Sequence, residues 1–171
     1  MTVTTDIVQS WRRPRRVLRR LLDTGRREDR ALVYLMLACL LIFVAQWPRL
    51  QREAVLSTDV PLEALIAGAL FGWLFVAPLA IYGLGTLSHL LARILGGQGS
   101  NYSARLALFW SLLATSPGFL FHGLVMGMIG PGPAQTVVGF ALLLAFLVIW
   151  GMTLIEAEQA PEKQNCKTGL R

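Results

Sequence analysis

Apolar positions gather into four runs separated by short polar or glycine-proline breaks. The first, Ala31 to Trp47, holds no charge over seventeen residues, so as a helix it reaches ~26 Å, just enough to cross the hydrocarbon core of a bilayer. Arg30 borders it on one side; Trp47, Pro48 and Arg49 border it on the other as an interfacial aromatic, a helix stop and a charge. The second, Ala64 to Ala92, has twenty-nine charge-free residues, ~44 Å as a straight helix and longer than a crossing needs. It reads as one helix, tilted and kinked at Pro78. The third, Ala104 to Ile129, carries Arg105 near its start and Pro117 in its middle, and the fourth runs from Ala134 to Ile155 before Glu156. Gly130-Pro131-Gly132-Pro133 between them is a tight turn that makes the last two helices antiparallel neighbours.

This pattern predicts an all-α polytopic membrane protein with four transmembrane helices preceded by an amphipathic, Arg-rich interfacial helix. Residues 1–30 form a cytoplasmic segment, 31–155 the membrane domain with spans at about 31–47, 64–92, 104–129 and 134–155, and 156–171 a cytoplasmic tail. Composition agrees: 54% of the 171 residues are apolar and 15% charged, against roughly 25% charged in soluble domains, which excludes a soluble globular protein. The net charge of +6 belongs to one segment, since nine of the sixteen basic residues precede the first span. By the positive-inside rule both termini and the 93–105 connection are cytoplasmic. A twin-arginine echo at Arg15-Arg16 lies too far from the first run for a cleaved signal, so the N-terminus reads as uncleaved.

At 100° per residue Val17, Leu18, Leu21 and Leu22 share one arc and Arg15, Arg16, Arg19 and Arg20 the opposite one, with Ile7 and Trp11 extending the apolar face. Trp11 and the four arginines are therefore candidates for contact with anionic lipid headgroups or a protein partner, the alternative being charge that merely sets topology. One aromatic and no reading motif argue against nucleic acid.

Candidate chemistry is sparse. Cys39 and Cys166 are too few for a disulfide framework or zinc site, and His89 and His122 are too far apart along their helices to share a metal. Ser57, Ser88, Ser103, Ser111 and Ser116 lie in no nucleophile elbow. The expectation is therefore no catalytic residue, no metal and no cofactor. Helix packing accounts for Gly68/Gly72 and Gly123/Gly127, spaced for close helix approach, for the prolines Pro78 and Pro117, and for a stripe of Ser111, Thr115, Gly118 and His122 that faces another helix. The cytoplasmic loop Gly96-Gly97-Gln98-Gly99-Ser100, with Tyr102 beyond it, is glycine-rich enough for positive backbone angles and close approach. It is the remaining candidate contact surface.

That loop followed by Tyr102 and, after an apolar run, Pro117, together with the opening Pro14-Arg15-Arg16-Val17-Leu18-Arg19-Arg20-Leu21, resembles the bacterial branch of the Yip-domain family of Ypt/Rab-interacting polytopic membrane proteins. The likeness spans Pro14 to about Ile155. Members are usually drawn with five spans, whereas four are counted here. Eukaryotic members bind prenylated Rab-type GTPases, so the resemblance implies a non-enzymatic scaffold or adaptor of the bacterial inner membrane, acting on a protein partner or as a homo-oligomer. A small transporter or channel subunit is the alternative; spans with no charged residue beyond Arg105 at the start of the third argue against it.

Overall fold

The computed structural model describes residues 3–25, 27–56, 60–94 and 96–159, which are helical with no strand among them. Arg26, Ser57 and the expected tail beyond residue 159, Cys166 included, lie outside the described residues. Two short helices, α1 (Val3–Arg12) and α2 (Pro14–Asp23), precede α3 (Glu28–Leu56), α4 (Leu62–Ile94), α5 (Asn101–Met128) and α6 (Pro133–Gln159). The last four are each long and apolar enough to cross a membrane; the protein is a multi-pass, all-helical membrane protein.

α5 is the centre of the bundle. Between Tyr102 and Ser116 nearly every side chain is buried, Trp110 and Phe109 almost completely. Lipid tails are as apolar as leucine, so helices in a bilayer gain little by hiding apolar surface from one another and associate where backbones fit closely. Gly123 and Gly127 supply that fit. A Cβ on Gly123 would collide with the Ala45 carbonyl oxygen of α3, and one on Gly127 with Pro48. Tyr34 packs edge-on against Trp110 at 5.2 Å, so numbers rise together on α3 and α5 and the pair is parallel. On the opposite flank α6 runs antiparallel: Ser111 meets Thr153, Gly118 lies under Leu142, and a Cβ on Gly139 would stand 3.1 Å from His122 Nε2. The Ser111–His122 stripe thus faces α6, with the Ser111 and Thr153 hydroxyls bonded at 2.9 Å. Gly130, at φ +87°, makes the turn between the two helices.

Three prolines behave differently from one another. Pro48 does not stop α3, which continues to Leu56. A proline removes the bond its own N–H would make and crowds the carbonyl four residues back, but the turns beyond it are held by buried Leu50 and by Arg52, whose guanidinium donates to the Gly127 carbonyl at 3.3 Å. Pro78 interrupts nothing visible at its own position. The preceding turn, Gly72–Val76, widens to π-helix, with the Ala77 N–H reaching back to the Gly72 carbonyl, and this absorbs the proline within one continuous α4. Pro117 strips the Leu113 carbonyl of its partner, and the Ser116 hydroxyl takes that place at 2.8 Å.

Gly68 and Gly72 depart from expectation. Neither brings a helix close, for a Cβ at either position would meet nothing within 4 Å. The same spacing that seats α3 on α5 leaves open space beside α4, because close approach needs a facing helix as well as a missing side chain.

Candidate functional site

Pro14 opens α2 at its first helical position, where a missing N–H costs nothing and a fixed φ suits the helix. Its apolar arc is then spent on the bundle: Val17 packs with Ala38, Trp110 and Leu113, and Leu18, 0% exposed, packs with Leu35, Tyr102 and Leu106. α1 is pinned at two points on α5. The Trp110 indole N–H donates to the Ser10 hydroxyl at 2.8 Å, and the Trp11 indole N–H donates to the Ala114 carbonyl at 2.9 Å, one residue beyond the carbonyl that Pro117 frees. Pro117 and the seat of the N-terminal helices thus fall on adjacent carbonyls of α5.

The arginine arc divides in two. Arg19 pairs with the buried Glu156 of α6, its Nε at 2.7 Å, and Arg20 pairs with Asp6 at 3.0 Å. Arg15 and Arg16 are exposed, as are Arg12 and Arg13 before them. These four form an outward basic face on the flank of the bundle, level with Trp110 to Ala114, some distance from the end where α5 begins.

That end is closed by polar links. Gly96 adopts φ +91°, its N–H and that of Gly97 donating to the Arg93 and Ala92 carbonyls, which terminates α4 in a Schellman turn. Gly97 and Gly99 have no positive φ; they permit contact. A Cβ on Gly97 would lie 2.5 Å from Glu158 Oε2, and one on Gly99 would meet the Ala157 carbonyl. Glu158, 7% exposed at the end of α6, accepts the Gly99 N–H at 3.1 Å on one carboxylate oxygen and His89 Nδ1 at 3.0 Å on the other, while its carbonyl accepts the Gln98 N–H. Ser100 and Ser103 form a reciprocal capping box that starts α5. Tyr102 closes the last gap: its hydroxyl meets the backbone N–H and carbonyl of Arg27, both at 3.3 Å. Beside it Glu28 accepts from Arg105 at 3.2 Å and Tyr82 at 3.1 Å, and the Arg105 guanidinium lies over the Tyr82 ring.

The structure thus joins Trp11, Arg19, the 96–100 loop and Tyr102 into one connected assembly, while Gly68, Gly72 and Pro78 lie on α4 away from it. Sequence reasoning missed Glu28, Glu156 and Glu158 as its anchors. Their one visible signal was position, acidic residues at the ends of apolar runs opposite an arginine-rich segment.

Removing the indole donor tests how firmly the N-terminal helices are held. Trp11→Phe keeps an aromatic ring but removes the hydrogen bond to the Ala114 carbonyl, an expected loss of about 1 kcal/mol in docking free energy. Tryptic cleavage after Arg12 should become severalfold faster in the detergent-solubilised protein.

Among families of known proteins, the Yip1 domain matches residues 8–168 of the chain. No curated protein and no solved structure matches it.

Proposed function

The chain belongs to the Yip1-domain family, and from that membership we propose that it is a non-enzymatic adaptor of the bacterial inner membrane, with both termini cytoplasmic, whose basic flank holds anionic lipid and whose closed cytoplasmic end presents a docking surface to a protein partner. The observation that carries this reading is the division of labour in α2. Its apolar side is consumed by α3, α5 and α6 while Arg15 and Arg16, with Arg12 and Arg13 just before it, face outward. A helix whose apolar face is already covered does not insert into lipid; it attracts phosphate by charge alone, at about 1 kcal/mol per basic residue near the surface. Arginine side chains on the flank of a bundle snorkel to the headgroup layer, and guanidinium forks suit phosphate oxygens.

The intramembrane hydroxyls give little support to the transporter alternative. Ser111 donates to Ala107, Thr115 to Ser111 and Ser116 to Leu113 carbonyls, so these groups are occupied by their own helix.

The test compares the full chain with an Arg12/Arg13/Arg15/Arg16→Gln variant after gentle extraction. The wild type should carry an excess of phosphatidylglycerol that falls as salt is raised, and the variant should lose most of that excess and its co-purifying protein while remaining monodisperse. An unchanged lipid complement and unchanged partner overturn the reading. Solute flux in liposomes made from the same preparations would instead support the transporter.

A further inference from the structure

At the opposite end of the bundle α3 and α4 line an open groove of about 440 Å³ that includes Gln46, Arg49, Glu53, Leu65, Gly68 and Trp73. The volume falls within the ~300–1,000 Å³ of small-molecule clefts. Its room comes from Gly68, beside which a Cβ would find nothing within 4 Å. Its polar groups come from one face of α3: Gln46 and the charged Arg49 and Glu53 recur at helical spacing. Arg49 Nε stands 3.7 Å from Glu53 Oε2, an ion pair too long for a hydrogen bond, with the side chains 49% and 45% exposed. The groove begins where the first apolar run ends, beside Trp47 and Pro48, the level at which headgroups meet a spanning helix.

We propose that this groove binds the headgroup of a phosphatidylethanolamine molecule, whose phosphate sits on Arg49 and whose ammonium lies toward Glu53 and the Gln46 amide oxygen. Charge complementarity selects the headgroup. A cation and an anion one helical turn apart match a ligand that carries both signs, whereas a purely anionic headgroup would place phosphate against Glu53 without compensation. A choline headgroup has no N–H to donate. The apolar wall at Leu65 and the indole of Trp73 accommodate the glycerol and the first methylenes, and the open side of the groove lets the acyl chains pass into the bilayer. The site is at the far end from the basic flank and is independent of the adaptor reading.

Native mass spectrometry of the full chain, released from bilayers with equal phosphatidylethanolamine, phosphatidylglycerol and phosphatidylcholine, tests it. The wild type should retain one phosphatidylethanolamine per chain. Arg49→Gln should reduce that occupancy about tenfold, the effect of one lost charge-assisted hydrogen bond, with Arg49→Lys intermediate. Gly68→Leu should reduce it as strongly by filling the groove while leaving every charge in place, and it enters open space, so folding is preserved. Equal retention of the three lipids, occupancy unchanged in either Arg49→Gln or Gly68→Leu, or a lipid-free two-chain complex seated through this face overturns the proposal. Loss of phosphatidylglycerol from the basic-flank variant leaves this site's occupancy unaltered, which separates failure here from failure of the adaptor reading.

Discussion

Gly123→Val is expected to prevent assembly of the bundle. The Cβ would overlap the carbonyl of Ala45, and the obstructing atom belongs to a helix backbone, so no rotamer change relieves it. Overpacking of a core that can adjust costs ~1–3 kcal/mol; here α3 must move away from α5 along its length, and the loss should exceed that range. Size-exclusion chromatography in mild detergent should show aggregate in place of a monodisperse peak. Gly72→Val is the control. It places the same side chain where nothing stands within 4 Å, and it should leave the elution profile intact. Equal behaviour of the two variants would mean that the α3–α5 contact does not hold the fold.

Glu158→Ala is expected to be nearly as damaging, by a different route. The carboxylate is buried and accepts from both His89 and the Gly99 N–H, so truncation strands two donors, a loss on the order of 3–5 kcal/mol. Glu158→Gln keeps an acceptor oxygen and should recover part of it. Arg19→Gln leaves the Glu156 carboxylate, 6% exposed, without its cation, but Arg19 itself is 67% exposed and the glutamine amide can still donate, so a smaller loss of about 1–2 kcal/mol is expected. The expected order of melting temperatures is therefore wild type, Arg19→Gln, Glu158→Gln, Glu158→Ala. Faster amide exchange at Gln98 and Gly99 in the alanine variant would locate the loss in the loop; native-like exchange there would show that the carboxylate does not hold it.

The four spans and the hairpin at Gly130 were legible in the sequence because a long charge-free run has few other uses and a Gly-Pro-Gly-Pro break admits few conformations. The amphipathic arc of α2 was equally plain, but its destination was not. Periodicity shows that Val17 and Leu18 share a side without showing whether lipid or Trp110 covers it. Gly68/Gly72 and Gly123/Gly127 have identical spacing and opposite roles, since spacing describes one helix and packing requires two. Glu156 and Glu158 were invisible as anchors for a related reason: their partners Arg19 and His89 lie 137 and 69 positions away. Pro48 looked like a terminus because proline statistics describe isolated helices, whereas Leu50 and Arg52 hold the turns that follow it.

The pinning of α1 and α2 on α5 and α6 also has a consequence for biogenesis. Residues 3–23 leave the ribosome well before Trp110, Ala114 and Glu156, which receive them. Until those residues follow, the segment waits undocked, with Val17 and Leu18 uncovered, and its tie to α6 through Arg19 and Glu156 forms last. The Arg19–Glu156 contact therefore closes only after α6 is in place, and a chain interrupted before Glu156 holds its N-terminal helices by α3 and α5 alone.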